Sequence, residues 1–210
     1  MLCFALTGKA QNIWEKPDFK TDTTVSEKEE KEQYKLKDAP KYLTGAVPLV
    51  NGKVEWSETI AVKDKTADEL YSAMMKYLTD MTKQENQLPV SNVTLINKQE
   101  HSIVAVFQEW LVFKNSFLSL DRTKFNYVIQ ATCKDGSVNI RMFKMSYLYN
   151  NGDSQDTNYK AEEWITDSYA MNKKHTKLRP YTGKFRRKTI DRKDFIFNDI
   201  ARYLNGIIEK

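Results

Sequence analysis

Between residues 102 and 149 the chain alternates apolar and polar side chains through three successive runs. The middle run is the most regular: Phe125, Tyr127, Ile129, Ala131 and Cys133 are interleaved with Lys124, Asn126, Gln130 and Thr132. A period of two places the first set on one face of a sheet and the second set on the other. The pattern predicts three long antiparallel strands joined by short polar turns, the last hairpin closing at Lys134-Asp135-Gly136. The third run does not commit to a buried face, because Val138, Ile140 and Met142 share one phase while Phe143, Met145 and Tyr147 share the other. A bulge near Met142 reconciles the two phases. A sheet apolar on both faces does so as well, and Phe143, Met145 and Tyr147 would then form an open face for a ligand or partner.

The flanking segments supply cover for such a sheet. Residues 46–62 read as a hairpin turning at Asn51-Gly52, the pair that best tolerates positive φ at both positions, and Pro48 marks its first arm as an edge strand. Thr66 and Glu69 have the spacing of a capping box. The helix they open places Tyr71, Met74, Met75, Leu78 and Met81 on one face, a stripe read as core-facing. Residues 93–96 form a short strand, 150–158 a polar loop, and 161–171 a short helix carrying Trp164, Ile165 and Tyr169. A closing helix with Asp191 as its N-cap buries Ile196, Ile200, Leu204 and Ile207. The fold class is therefore α+β: a twisted antiparallel sheet of five or six strands with two long helices on one face.

Length and composition add limits to this picture. The 210 residues admit one domain of ordinary size with extensions. Residues 1–10 read as the remnant of a signal peptide, since Leu2 to Leu6 are apolar and Gly8-Lys9-Ala10 precedes Gln11, although a basic leader and a full-length apolar core are missing. Residues 11–43 are polar and mixed in charge, a tether to a single domain at 44–210. The expected address is export to the periplasm or envelope, with the cytoplasm as the other option. No apolar run approaches the roughly 18 residues that span a bilayer. Cys133 lies on the apolar face of its strand and behaves as a small hydrophobe, so a disulfide with Cys3 is not expected.

Catalytic and metal-binding signatures do not emerge. HExxH, CxxC, P-loop, Rossmann and GxSxG patterns are missing, and the two histidines, His101 and His175, are not placed by any motif beside a nucleophile and an orienting acid. Asp153 and Asp156 fail the calcium-loop pattern, which needs a glycine at its sixth position and a glutamate at its twelfth. The expectation is a protein that is not an enzyme and uses neither metal nor cofactor. One asymmetry stands out, for residues 173–193 hold ten Lys or Arg against the single Asp191 while the whole chain is only +5. Read as a loop broken by Pro180 and Gly183, this segment offers Lys173, Lys174, Lys177, Arg179, Lys184, Arg186, Arg187 and Lys188 to a polyanion. Anionic lipid, glycan or protein at the envelope is the first partner class, nucleic acid the second, and a solvated loop paired with acidic neighbours the plain alternative.

Residues 47–54 (Val-Pro-Leu-Val-Asn-Gly-Lys-Val) lead to Trp56 and Ile60, the helix opens Thr66-Ala67-Asp68-Glu69-Leu70-Tyr71 with a second aromatic at Tyr77, and the three-stranded meander follows to Tyr149. In these features, about half of the chain, the sequence resembles a family of domains of unknown function from exported proteins of Gram-negative gut bacteria. The resemblance implies a TATA-box-binding-protein-like fold and brings no catalytic residues. A fold of that name is not evidence of DNA binding. The function expected is a non-enzymatic binding or interaction module of the envelope, with intracellular nucleic-acid binding through the basic segment as the alternative.

Overall fold

Asn51 and Gly52 take φ of 51° and 73°, turning β1 (Leu49–Val50) back onto β2 (Lys53–Ala61) through the two-residue turn this pair favours. The computed structural model describes residues 39–116, 119–150 and 155–206. The expected leader, most of the tether, Asp153 and Ile207 lie outside these residues. Within β2 the alternation buries Val54, Trp56 and Ile60. Helix α1 (Ala67–Met81) opens as its capping box requires: Thr66 Oγ1 accepts from the Glu69 amide at 3.3 Å, and the Thr66 amide donates to Glu69 Oε2 at 2.9 Å. It buries Leu70, Tyr71, Met74, Leu78 and Met81, so the methionine stripe is core-facing, with Met75 half-buried at its margin.

The remaining strands are β3 (Asn92–Asn97), β4 (Ser102–Ser116), β5 (Ser119–Lys134), β6 (Ser137–Tyr149) and β7 (Thr157–Lys160). All pairings are antiparallel, in the order β1-β2-β6-β5-β4-β3. β7 continues the β2 side of β6, pairing with residues 146–149 beyond the point where β2 stops at Phe143. The sheet therefore has seven strands rather than five or six. The extra one comes from Thr157–Lys160, whose first two residues the sequence reading assigns to a loop.

Between the pairs Asn126↔Ser146 and Val128↔Phe143, β6 has one residue more than β5. That bulge contains Lys144 at φ 53°, and it reverses the phase of the strand. Val138, Ile140 and Met142 before it and Met145, Tyr147 and Tyr149 after it consequently share the buried face. Met145 and Tyr147 are thus core residues at 2% and 0% exposure, a correction to the open face expected for them, and only Phe143 stays on the opposite side.

After β7 the chain makes a 3₁₀ turn at Ala161–Glu163 and a one-turn helix, α2 (Asp167–Ala170), in place of the continuous helix expected there. Helix α3 (Pro180–Gly206) closes the domain and begins eleven residues before Asp191, the expected N-cap. Pro180 suits the first position of a helix, where its missing N–H costs nothing. Gly183 is needed for contact, because a Cβ there would lie 2.8 Å from Leu178 Cβ. The two residues read as loop breakers are therefore the start of a helix. Asp191 instead accepts from Lys41 Nζ at 2.6 Å and the Tyr42 hydroxyl at 2.7 Å, so packing starts slightly ahead of Thr44.

Helices α1 and α3 lie together on the buried face of the sheet. Tyr77 of α1 donates to Asp199 of α3 at 2.7 Å, and Ile196, Ile200 and Leu204 fill the interface as expected. Phe107, Phe125, Tyr127 and Tyr147 form a row of ring contacts beneath them, with Phe185 of α3 against Tyr147. Cys133 is buried at the end of this core, and burial pushes its thiol up to about 12. In a Cys3→Ser background, Cys133 should stay silent to a thiol reagent at pH 8 until denaturant is added. Rapid labelling of the native protein would contradict the packing.

Candidate functional site

His101 sits in the β3–β4 turn at φ 48°, its Nε2 3.1 Å from Asp68 Oδ1 and its ring edge-on to Tyr71. His175 is exposed in another turn, also at positive φ. Neither is part of a three-residue metal-ligating cluster, and the described residues contain no such cluster. Among them, no helix is long and apolar enough to cross a membrane.

The basic segment divides into three structurally distinct parts. Lys173, Lys174 and Lys177 are exposed on a hairpin closed by the Met171↔Leu178 bridge, where the Asn172 carboxamide accepts from the Thr176 and Lys177 amides. Arg179 is turned back to the chain, donating from Nε to Met171 O at 2.7 Å. The rest belongs to α3 and faces mostly inward. Lys184 reaches Asp121 Oδ2 at 2.6 Å and the Tyr149 hydroxyl at 2.9 Å, with the Phe113, Tyr149, Tyr181 and Phe185 rings 4.7–5.5 Å from its ammonium. Burial acts against that charge, but the bonds to Asp121 and Tyr149 outweigh it and raise the lysine above its ordinary value.

Arg186 is fully buried and donates to three carbonyls, Tyr42 at 2.7 Å, Ile165 at 2.9 Å and Leu43 at 2.6 Å, with Asp167 Oδ1 2.6 Å from Nη2. Arg187 and Lys188 are half-buried and engaged within the protein. The reading of all eight cations as one loop offered to a polyanion is therefore corrected, since Lys184, Arg186, Arg187 and Lys188 belong to a helix. Its physical reason is that helical periodicity turns Arg186 into the core, where backbone acceptors wait.

A further cation was missed as a structural element. Arg192 forms a bidentate pair with Glu109, at 2.6 and 2.7 Å, and both side chains are 1% exposed. Asn86 and Gln87 each donate to Glu109 Oε2 at 2.7 Å. Burial opposes the Arg192 charge, and the Glu109 carboxylate more than restores it. The sequence signal was present: Glu109 sits in the apolar phase between Phe107 and Leu111, and Arg192 is four residues before Ile196 in the stripe of α3.

The helix-free face of the sheet holds the most distinctive exposed chemistry. Residues directly opposite on antiparallel strands share a face, so the registers define its rows. Val106, Val128 and Phe143 make an apolar row. Beside it, Gln108 Nε2 donates to Asn126 Oδ1 at 2.7 Å, and Asn126 Nδ2 to Ser146 Oγ at 3.1 Å. Next come Trp110 and Lys124, with the Arg122 guanidinium 3.7 Å from the indole centre and the Lys124 ammonium 5.7 Å away. Lys160 of β7 joins the same face through its pairing with Ser146. Lys124 pairs with Asp156 at 3.2 Å, whereas Arg122 has no carboxylate partner among the described residues.

Further down, Arg141 forks onto Glu55 at 2.8 and 2.7 Å and reaches Gln130 at 2.9 Å, with its guanidinium 5.1 Å from the Phe143 ring. The Arg141 hydrogen bonds hold the Glu55 carboxyl below its usual range. Of the three residues expected on an open face, Phe143 alone belongs here. Trp110 was the overlooked signal, a large aromatic in the polar phase of an alternating strand.

Comparison with known proteins places this architecture. No functionally curated protein matches the chain. Residues 56–148 match the model of a domain of unknown function with TBP-like fold, DUF4468. A solved DUF4468 family protein from Bacteroides ovatus is 40% identical, with 80% of this chain and 95% of that one covered at a TM-score of 0.73. A TBP-like protein from Parabacteroides distasonis, 23% identical, shares the fold over 75% of this chain and 96% of its own at a TM-score of 0.63. The chain belongs to the DUF4468 family of TBP-like fold.

Proposed function

We propose that this protein is a non-enzymatic binding module that captures anionic groups of an envelope polymer on its helix-free sheet face. The observation that carries the reading is the Arg122 guanidinium lying 3.7 Å over Trp110 with no carboxylate to neutralise it among the described residues. Stacking uses the flat face of a guanidinium and leaves its N–H edges available for a phosphate, sulfate or carboxylate. Lys160 adds positive charge on the same face, and the Gln108, Asn126 and Ser146 row offers polar groups along it. The exposed Lys173, Lys174 and Lys177 form a second, separate cationic surface. An exported address is supported by the apolar run at Leu2 to Leu6 and the small residues before Gln11. The burial of Arg186 removes one of the eight cations offered to any polyanion, so the reading rests on the sheet face rather than on that segment.

Heparin and vesicles of phosphatidylglycerol serve as sulfate- and phosphate-bearing probes, titrated across salt concentrations. Arg122→Gln should weaken binding several-fold and lower the salt slope by about one ion, and Trp110→Ala should weaken it further. Unchanged binding by both variants would overturn the sheet-face reading. If only Lys173→Gln, Lys174→Gln and Lys177→Gln together abolish binding, the hairpin is the site instead.

A further inference from the structure

Resting on the sheet-face reading above, we propose that the ligand of that face is an acidic polysaccharide. The row of Gln108, Asn126 and Ser146 reads its hydroxyls, and Lys144 takes one of its acidic groups. Lys144 stands where any side chain costs the backbone. It lies in the β6 bulge at φ 53°, a left-handed conformation that glycine adopts freely and lysine resists. Among the described residues, the other non-glycine positions at positive φ, Asn51, Asp64, His101 and His175, sit in turns between elements, whereas Lys144 is inside a strand. Its side chain is exposed, and its ammonium lies 6.0 Å from the Phe143 ring on the helix-free face. A bulge re-aims a side chain at the expense of regular pairing. Here it presents a cation with no carboxylate partner among the described residues, and strain kept for such a purpose is a mark of a working surface.

The row beside Lys144 is neutral and already ordered. Gln108, Asn126 and Ser146 are half-buried, and their mutual bonds fix the two carboxamides. Those bonds leave the Gln108 carbonyl oxygen, one amide hydrogen each of Gln108 and Asn126, and the Ser146 hydroxyl hydrogen without a partner among the described residues. Donors and an acceptor side by side are what a hydroxyl needs, since it gives one hydrogen bond and takes others. Exposed cations frame the row: Lys160 is opposite Ser146, Lys144 precedes Ser146 in β6, and Arg122 is stacked on Trp110 in the next row. On the other side Val106, Val128 and Phe143 supply an apolar strip.

This distribution selects the class of ligand. A phosphate polymer presents an anion at every repeat and is met by rows of Lys and Arg. On this face the remaining cations are neutralised within the protein, Arg141 by Glu55 and Lys124 by Asp156, and the centre is carboxamide. An acidic sugar has the matching proportions, with several hydroxyls and apolar C–H faces to each carboxylate or sulfate.

The full chain should bind polygalacturonate and heparin more tightly than polyphosphate at equal salt, although charge alone ranks polyphosphate first. Gln108→Ala and Asn126→Ala should each weaken polygalacturonate binding several-fold. Lys144→Gly should weaken it several-fold while the unfolding midpoint holds or rises, because glycine relieves the bulge. Lys144→Gln gives the same reading of the charge if the glycine variant fails to fold. Tighter binding to polyphosphate or to phosphatidylglycerol vesicles than to either polysaccharide overturns the proposal. So do Asn126→Ala and Lys144→Gln variants that bind polygalacturonate like the parent. If Arg122→Gln still weakens binding in those cases, the sheet-face reading stands and the choice of ligand alone falls; if Arg122→Gln is silent as well, both fall.

Discussion

Replacing Glu109 by glutamine is expected to cost the fold about 3–5 kcal/mol, because it strands the Arg192 guanidinium in the core without a counter-charge. For a domain of this size each kcal/mol moves the unfolding midpoint by about 2–4 °C, so a loss of roughly 6–20 °C should be read in a thermal scan. The pair itself need not be a large net stabiliser. Taking both ions out of water consumes most of their attraction, and a double replacement such as Glu109→Leu with Arg192→Met should recover most of what either single change loses. A double-mutant cycle in denaturant makes the distinction. A Glu109→Gln variant within about 0.5 kcal/mol of the parent would mean that Arg192 leaves the core or is hydrated there, contrary to its 1% exposure.

Arg186→Ala should destabilise by about 3 kcal/mol or more, for a different reason. Here the losses are acceptors: the carbonyls of Tyr42, Leu43 and Ile165 forfeit their donor together, and each buried unsatisfied polar group costs about 1–3 kcal/mol before relaxation. Arg186→Lys keeps the charge but cannot point donors in three directions from a plane, so it should recover only part of the loss. Neutralising Lys173, Lys174 and Lys177 should shift stability by no more than about 0.5 kcal/mol, as for ordinary surface positions. Urea midpoints at unchanged slope measure all three. Arg186→Ala as stable as the parent would return Arg186 to the solvated surface.

These two arginines also mark where the sequence could and could not be read. Strict alternation in β5 revealed its pleat, and the capping box at Thr66 and Glu69 revealed the start of α1, because both signals are local. The phase of β6 was not decidable, since the bulge turns on Lys144, a residue with no special preference for positive φ. Pro180 and Gly183 resemble breakers until the contact with Leu178 shows that one begins a helix and the other fits beneath it. The acceptors of Arg186 lie 21 to 144 residues away and Glu109 lies 83 residues from Arg192, so neither arginine's receptor is legible beside it, although the place of Arg192 four residues before Ile196 marks it for the buried stripe. Glu109 did announce that some cation was needed, through its place between Phe107 and Leu111. The sheet-face site was half legible: Phe143 was named, while Trp110, Arg122 and Lys124 were lost among the polar positions of regular strands.

Three of the cations of helix α3 are keyed to the rest of the domain at different heights: Lys184 to Asp121 and the Tyr149 hydroxyl, Arg186 to the carbonyls of residues 42, 43 and 165 and to Asp167, and Arg192 to Glu109 in β4. A slip of one helical turn, about 5.4 Å, would push all three past their receptors and bury charge against apolar walls. Leucines and isoleucines alone would tolerate such a slip. The helix is therefore keyed, and its locks exist only once the β4–β5 hairpin and the segment at Tyr42 are in place. A helix keyed in this way is expected to release before the sheet does, so its amides should exchange with solvent before those of the sheet when the native protein is loosened.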